Sequence, residues 1–354
     1  MNSNGRRLLP ALFLAALLPH GATAAPKVAK ARDTRVADAP AENYAARQDV
    51  RDFAAQVAEK RELPADWVQA QLALARRQSA AQRLMMPPPA GTAKNWAAYR
   101  DRFVEPQRIM AGARFWQDNA DWLRRAEERY GVPAEIVVGI VGVETYYGRI
   151  TGNFRVLDVL ATLAFDFPTG RSDRSPFFRQ ELEEFLVMCR REGLDPTLPK
   201  GSFAGAMGLP QFMPGSINRW AVDFDEDGRI DLNGSAADVV GSVAHYLAAH
   251  GWQRDMPVVY AVAPPVDTSA RATLLQPDIL PSFSAEQMLS MGAELDDAGR
   301  AHAGPLALVE LQNGNAAPTF VAGTQNFYAV TRYNWSSYYA MAVITLGDAV
   351  KRQR

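Results

Sequence analysis

Residues 132–149 read VPAEIVVGIVGVETYYGR, an almost unbroken apolar run that predicts a buried helix starting at Pro133. Counting back in helical steps from Glu144 gives the apolar members of its face, Val137, Ile140 and Val141. Glu144 is the only acid on that face. Apolar surroundings disfavour a charged carboxylate, so we expect a raised pKa for Glu144, as a general acid near neutral pH requires. The structural alternative is a glutamate at the helix end that faces solvent or pairs with Arg149.

The flanking sequence favours helices, with a smaller region of strands nearer the C-terminus. Apolar residues recur at intervals of three and four in three segments, 49–63, 65–80 and 112–131. Short apolar or alternating runs bounded by Pro and Gly predict a small antiparallel β unit from three segments, 256–265, 272–277 and 306–312. The stretch 336–350 again has a helical pattern. The predicted fold class is therefore α+β, mainly α.

Composition limits the classes of function. The 354 residues contain 38 Lys and Arg against 39 Asp and Glu, a formal net charge of −1, so no basic excess favours nucleic acid as a partner. Apolar residues make up 48% and charged residues 22%, values typical of chains that fold. The length predicts two or three domains.

The first 24 residues have the pattern of a secretory signal peptide. Arg6 and Arg7 precede an apolar run, Leu8–Leu18, and the small residues of GATAAP follow, with cleavage expected after Ala24. A membrane anchor is the alternative, but the run is shorter than the about 20 residues that a bilayer span needs. No cysteine lies near the cleavage site, so we expect no lipid anchor. We therefore expect a soluble periplasmic protein that does not span the membrane, with a flexible linker at residues 25–42.

A glycine-rich loop occupies residues 201–214, GSFAGAMGLPQFMP. Its small residues permit close backbone approach, while the Ser202 hydroxyl and the Gln211 amide are groups that orient a sugar ring. It lacks the Lys and Ser/Thr ending of a phosphate-binding loop. The alternative is a tight connection between helices.

An acidic loop at residues 223–238, DFDEDGRIDLNGSAAD, resembles the first half of an EF-hand. Its predicted calcium ligands are the side chains of Asp223, Asp225, Asp227 and Asp238 and the main-chain carbonyl of Arg229. The twelfth loop position is Gly234, which has no carboxylate, and Asp238 stands four residues later. We expect a structural calcium ion here, with a solvated acidic turn as the alternative.

Several motifs occur in an order that resembles the lytic murein transglycosylase B family, from about Asn43 to the C-terminus. Besides the two loops they are GIVGVETYYGR (139–149), VLDVLATLAFDFP (156–168), ELEEFL (181–186), GSVAHYLAAHGW (241–252) and TRYNWSSYYAMAV (331–343). The resemblance implies a lysozyme-like catalytic core with an EF-hand-like calcium loop, flanked by other domains. The implied divisions are a helical domain at 43–130, the core at 131–253, a small β domain at 254–325 and a C-terminal segment at 326–354.

The resemblance also implies an activity and a set of site residues. The expected reaction cleaves the MurNAc-β-1,4-GlcNAc bond of peptidoglycan without water and leaves 1,6-anhydro-MurNAc ends, with Glu144 as the acid and base. Residues at positions matching saccharide-binding or site-shaping residues are Ser202, Gln211, Tyr246, Tyr333, Asn334 and Tyr339. Arg171 and Arg174 match less closely, as contacts for peptide or lactyl carboxylates. No organic cofactor is implied, the expected partner is the peptidoglycan glycan strand, and cell-wall synthesis or division proteins are further candidates that no motif identifies.

Two other functions stay open at this level. A muramidase would hydrolyse the same bond, and it would need a second acid such as Asp166 or Asp223 close to Glu144. A noncatalytic peptidoglycan-binding protein would use the same groove without chemistry. A desolvated acid gives no advantage to a protein that only binds, so the Glu144 context disfavours this second alternative.

Overall fold

The computed structural model describes residues 44–87 and 93–354. The predicted signal peptide at 1–24 and the predicted linker at 25–42 lie outside these residues. Within the described ranges no helix combines the length and the apolar character needed to cross a bilayer.

Helices form the first part of the described chain. A short 3₁₀ turn, Tyr44–Ala46, is followed by α1 (Gln48–Arg61), α2 (Ala65–Ala73), α3 (Ser79–Leu84), α4 (Trp96–Asp101), α5 (Pro106–Asp118) and α6 (Ala120–Tyr130). Two of the predicted helices are in fact divided. Segment 65–80 breaks between α2 and α3 because the backbone N–H groups of Arg76 and Gln78 bond to the side chains of Asp158 and Thr162, both at 2.8 Å. Segment 112–131 breaks at Asn119, whose backbone is not helical.

The central helix α7 (Ala134–Thr145) follows the predicted stretch. Every residue of α7 except Glu135 and Glu144 is buried. It packs along the C-terminal helix α16 (Ser337–Gln353), and glycines set the spacing. A Cβ at Gly139 would overlap the main-chain carbonyl of Val343, and one at Gly347 would overlap that of Glu135. The two backbones therefore approach more closely than any larger residue permits.

Four further helices complete the core around α7. They are α8 (Val156–Phe165), α9 (Ser175–Arg191), α10 (Pro214–Trp220) and α11 (Ala236–Ala249). A two-stranded antiparallel ribbon, β1 (Phe154–Arg155) with β2 (Lys200–Gly201), ties the chain before α8 to the glycine-rich loop. The last connection to α16 is α15 (Gln325–Thr331).

Along the chain, a four-stranded antiparallel sheet follows α11 and precedes α15. Its strand order is β4-β3-β6-β5. Its strands are β3 (Val259–Ala263), β4 (Glu294–Leu295), β5 (Ala307–Asn313) and β6 (Ala316–Gly323). Three short helices accompany the sheet, α12 (Thr268–Leu275), α13 (Ala285–Ser290) and α14 (Asp297–Arg300). A separate small apolar cluster beneath the sheet includes Tyr260, Leu274, Met288 and Leu308.

The predictions for this region are partly confirmed. Segments 256–265 and 306–312 contain strands β3 and β5. The prediction of a strand at 272–277 is wrong, because those residues end helix α12, which Asp267 caps by accepting the N–H of Ala270 at 2.7 Å. Overall, the mainly helical architecture with small antiparallel sheets confirms the predicted fold class.

Candidate active site

Glu144 lies in the last turn of α7, where the helix ends in a left-handed C-cap. Its side chain is only partly accessible, and burial raises the pKa of its carboxyl to about 8. The Tyr339 hydroxyl donates a hydrogen bond of 2.6 Å to Glu144 Oε1, which favours the charged form and limits the rise. The carboxyl is therefore largely protonated at neutral pH, yet it has a donor ready to stabilise the carboxylate.

Four tyrosines surround this carboxyl. Burial raises the pKa of each phenol, and the Glu144 charge adds to the rise in every case, which places all four close to it: Tyr99, Tyr246, Tyr333 and Tyr339. The rings of Tyr333 and Tyr339 stack with centroids 6.1 Å apart, and the Tyr246 centroid is 4.9 Å from that of Tyr333. Tyr99 is absent from the predicted site residues. Only the packing of α4 against α16 brings it here, and no local sequence signal indicates that.

Hydrogen bonds from the site side chains fix the surrounding loops. The Tyr333 hydroxyl donates to the Pro210 carbonyl at 2.5 Å, and the Thr145 hydroxyl donates to the Leu209 carbonyl at 2.9 Å. The Tyr246 hydroxyl donates to the Arg332 carbonyl at 2.8 Å. The end of α7, the glycine-rich loop and the segment before α16 are thus joined around Glu144.

The two predicted polar residues of the glycine-rich loop have different positions. Ser202 Oγ accepts the N–H groups of Ala204 and Ala206 at 3.3 and 3.1 Å, so this hydroxyl shapes the loop itself. Gln211 has a left-handed backbone with φ 50°, and its amide nitrogen donates to the Gly208 and Thr151 carbonyls at 2.9 and 3.2 Å. Its amide oxygen has no donor within the described residues and is free to accept one from a ligand.

Asn334 is 4% exposed, and its side-chain oxygen has no hydrogen-bond partner in the described chain. It directly follows Tyr333 in the segment before α16. A buried acceptor without a donor costs free energy, which a ligand hydroxyl or amide N–H would recover.

A buried acid that sequence analysis missed supports the far end of the loop. Glu181 of α9 is 4% exposed and accepts the Gly215 N–H at 2.8 Å, just after the loop ends. Burial raises its pKa to about 7, although this hydrogen bond and the Arg219 charge oppose the rise. The motif ELEEFL contains Glu181, but its pattern indicates only a helix with an acidic face.

The predicted arginines Arg171 and Arg174 lie together near the start of α9. The Arg171 guanidinium donates to the Met85 carbonyl and lies over the Phe167 ring. The Arg174 guanidinium lies over Phe177 at 4.8 Å, and the Arg171 charge contributes, after burial, to lowering its pKa. None of these described contacts reaches the tyrosines around Glu144.

The two acids considered as a second carboxylate are engaged elsewhere. Asp166 accepts from the Tyr44 hydroxyl and pairs with Arg47, both at 2.6 Å. Asp223 accepts two backbone N–H groups of the acidic loop. In the described chain no other carboxylate contributes to the pKa shift of Glu144, and neither Asp166 nor Asp223 bonds to a residue of the tyrosine cluster around it.

The acidic loop has the geometry of a cation site. Carboxylate oxygens of Asp223, Asp225 and Asp227 lie within 4.8 Å of one another. Asp223 also accepts the N–H groups of Asp227 and Gly228 at 3.1 and 2.8 Å, which holds the loop in a tight turn. Asp225 Oδ1 is buried and has no hydrogen-bond partner in the described chain. An unpaired buried oxygen among three carboxylates fits a hard divalent cation such as Ca²⁺.

The other two predicted ligands border this cluster. Asp238 is 1% exposed, and its oxygens accept the N–H groups of Phe224 and Asp231, both at 2.7 Å. After burial, the charges of Asp225 and Asp223 contribute to raising its pKa, so the three carboxylates are close. The Arg229 guanidinium pairs with Asp231 at 3.2 Å, which leaves its main-chain carbonyl as the group available to a cation.

Comparison with known proteins places this site in context. The family described as Transglycosylase SLT domain matches residues 45–348. The membrane-bound lytic murein transglycosylase B of Escherichia coli (strain K12) is 43% identical over 267 residues, which are 75% of this chain and 70% of that protein. The solved structure of the lytic transglycosylase SltB1 from Pseudomonas aeruginosa is 38% identical, with a TM-score of 0.79, and the match covers 88% of this chain and 99% of that one. The E. coli lytic transglycosylase Slt35 in complex with calcium is 37% identical, with a TM-score of 0.75 and coverage of 89% and 94%.

Replacing Tyr339 by phenylalanine should raise the pKa of Glu144 further above its value of about 8, because the lost hydrogen bond favours the charged carboxylate. An NMR titration of the carboxyl carbons in protein labelled at glutamate measures this shift. The neighbouring Tyr338→Phe is the matched control, since the Tyr338 hydroxyl bonds to the Gln312 backbone and should leave the titration in place. A pKa that stays the same in Tyr339→Phe would contradict the contact.

Replacing Glu144 by glutamine should stabilise the protein increasingly as the pH rises. The folded pKa of about 8 lies above the usual 4.5, so the wild type loses stability as the pH rises from about 4.5 to about 8. Glutamine has no such loss and still accepts from Tyr339. We expect a gain in melting temperature of about 2 °C or more at pH 9 and a smaller gain at pH 5, measured by calorimetry. An equal gain at both values would show that burial does not raise this pKa.

Proposed function

The chain belongs to the transglycosylase SLT domain family, and from this premise we propose that it is a lytic transglycosylase in which Glu144 is both acid and base. One observation carries the assignment of the residue. Glu144 is a carboxyl whose pKa burial raises to about 8, with a tyrosine hydroxyl 2.6 Å from one oxygen. The substrate is peptidoglycan, the murein named in the E. coli relative.

The first step is a proton transfer to the glycosidic oxygen between N-acetylmuramic acid and N-acetylglucosamine. The Glu144 carboxyl gives its proton as the bond breaks, and the Tyr339 hydroxyl stabilises the carboxylate that forms. Because no second carboxylate is near, the acetamido oxygen of the muramoyl residue itself stabilises the anomeric carbon as an oxazolinium. The leaving strand departs with the proton from Glu144.

The second step closes the 1,6-anhydro ring. The Glu144 carboxylate removes the proton from the muramoyl C6 hydroxyl, whose oxygen attacks C1 and opens the oxazolinium. Glu144 is then protonated again, and no water is consumed. A hydrolytic muramidase would need a second acid such as Asp166 or Asp223 to reach the site, and both of these are bonded elsewhere.

The proposed roles of the other site residues follow from their contacts. Tyr333 and Tyr246 place the loops around the groove, and the partly exposed ring of Tyr333 offers a face on which a pyranose packs, whereas the buried Tyr246 ring supports it from behind. Ser202 maintains the loop shape. The free oxygens of Gln211 and Asn334 accept sugar hydroxyl or acetamido N–H groups. Arg171 and Arg174 stay a proposed contact for substrate carboxylates, away from the tyrosine cluster.

We also propose where the protein acts in the cell and how its chain divides into domains. Murein as the substrate and the signal-peptide pattern at residues 1–24 support action in the periplasm on glycan strands. We also propose the division into a helical domain, a catalytic core, a small β domain and a returning C-terminal segment at the boundaries predicted above. The separate apolar cluster beneath the sheet supports the β domain as a unit of its own.

We further propose a structural Ca²⁺ ion in the acidic loop. The side chains of Asp223, Asp225, Asp227 and Asp238 and the Arg229 carbonyl would hold it, and the ion would neutralise the clustered carboxylates. The calcium complex of the relative Slt35 supports this assignment. Trp122 lines the same cavity, so the ion would also steady the packing of α6 on the loop.

Glu144→Gln should abolish turnover while the protein stays folded. Mass spectrometry of soluble products from purified peptidoglycan should detect anhydromuropeptides with the wild type and none with the variant. Glu135→Gln on the same helix is the matched control, because that carboxylate pairs with Lys351 at the surface and should leave product formation intact. Products heavier by one water would instead identify a hydrolase, and an active Glu144→Gln would remove this residue from the mechanism.

Calcium should raise the melting temperature of the wild type, and Asp225→Asn should remove that dependence. The measurement is thermal unfolding after EDTA treatment and again after calcium is added back. Asp121→Asn, an exposed acid on α6, is the control and should retain the calcium response. A wild type whose melting temperature ignores calcium would contradict the site.

A further inference from the structure

Two arginine side chains enclose Tyr146 at the end of α7. The guanidinium carbon of Arg108 lies 4.5 Å from the centroid of the Tyr146 ring, and that of Arg149 lies 4.8 Å from it. Tyr146 follows Glu144 by two residues and has φ 54°, in the left-handed region that bulky residues rarely adopt. The fold therefore holds this ring between two cations beside the proposed catalytic carboxyl.

These cations have no salt bridge within the described residues. Arg108 Nε is buried without a hydrogen-bond partner, and burial lowers the pKa of this guanidinium. Glu105 is the acid beside this pair: its charge opposes the fall in the Arg108 pKa and contributes to the raised pKa of Tyr146, while its two oxygens accept the backbone N–H groups of Gln107 and Arg108 at 2.8 and 2.7 Å. An arginine with a buried, unbonded N–H gains free energy when an anionic acceptor arrives.

Packing contacts connect Arg108 to the aromatic residues around Glu144. Arg108 also lies over the Phe103 ring at 5.1 Å, and Phe103 contacts Tyr99 with ring centroids 5.2 Å apart. Tyr99 is close enough to Glu144 for the carboxylate charge to contribute to its raised pKa. Arg108 is thus linked through Phe103 and Tyr99 to the surroundings of Glu144, and Arg149 is linked to the same end of α7 through Tyr146.

We propose that Arg108 and Arg149 form a subsite that binds a carboxylate on the non-sugar part of the peptidoglycan strand. This inference rests on the proposed function. Guanidinium groups bind carboxylates through paired hydrogen bonds, and the sugar rings themselves contain no carboxylate. The carboxylate has two sources, the stem peptide or the lactyl group that is exposed when the peptide has been removed. The subsite gives the enzyme a means to distinguish strands by the state of their peptides.

The test compares three soluble glycan substrates with the full-length protein. The first has stem peptides with free carboxylates, the second has the same peptides with amidated carboxylates, and the third has been stripped of peptides by an amidase. Initial rates of anhydro product release give kcat and KM for the wild type and for Arg149→Gln, Arg108→Gln and the double variant. Circular dichroism verifies that each variant is folded. Because Arg149 is exposed, we expect its single substitution to disturb folding least.

We expect the double variant to raise KM about tenfold for the charged substrate that the wild type prefers, with a small change in kcat. Preference for charged peptides over amidated peptides identifies the stem peptide as the source, and preference for stripped strands identifies the lactyl group. Arg149→Lys keeps the positive charge, so its KM should lie between that of the wild type and that of Arg149→Gln. Arg190→Gln is the matched control, since Arg190 also lies over an aromatic ring, Trp67, on a different surface.

Two results would overturn the subsite. One is a KM that is the same in the wild type and in the double variant on all three substrates. The other is a KM that responds to Arg171→Gln and Arg174→Gln but not to the exchange of Arg108 and Arg149. Failure of the proposed function is distinct, because a wild type without lytic transglycosylase activity would release no anhydro product from any of the strands.

Discussion

The close packing of α7 against α16 brings the Tyr339 hydroxyl to the Glu144 carboxyl, and the groove is built around that contact. Glycines at the crossing let the backbones meet at the Val343 and Glu135 carbonyls. With larger residues there the helices would separate, and a bond of 2.6 Å between side chains on two helices has little tolerance for separation. The spacing between α7 and α16 therefore decides whether Tyr339 can hydrogen-bond to the Glu144 carboxyl and so influence its pKa.

Burying the Glu144 carboxyl in this way lowers the stability of the fold, and other contacts have to offset that loss. A carboxyl in an apolar helix end favours its neutral form, and its ionised form destabilises the fold. Tyr146, Tyr147 and Gln211 all have left-handed backbones within the site. Bonds from Thr145 and Tyr333 to the glycine-rich loop offset these costs, because they fix both sides of the groove. The buried Glu181 carboxyl then holds the loop at its far end.

Sequence reasoning succeeded where a local pattern decides the structure. The apolar run predicted helix α7 from neighbours within the run, and it also predicted the direction of the Glu144 pKa shift, although the tyrosines around this carboxyl come from outside α7. It failed where contacts between residues far apart in the sequence determine the local structure. The break after α2 depends on Asp158, more than eighty residues away, and the end of α12 has the composition of a strand. Tyr99 belongs to the site only through the packing of α4, which no spacing in the sequence shows.

The distribution of charge around Glu144 reconciles two opposed requirements of a lytic transglycosylase. A substrate rich in carboxylates favours cations in the site, but a cation beside Glu144 would lower its pKa and remove the proton that the proposed acid step needs. No arginine lowers the pKa of Glu144 in the described chain. The Arg108 guanidinium instead lies over the Tyr146 and Phe103 rings, 4.5 and 5.1 Å from their centroids, and Phe103 in turn contacts Tyr99. Under the proposed roles a substrate-binding cation and a protonated acid can therefore coexist, because the Arg108 guanidinium packs on aromatic rings and makes no bond to the Glu144 carboxyl.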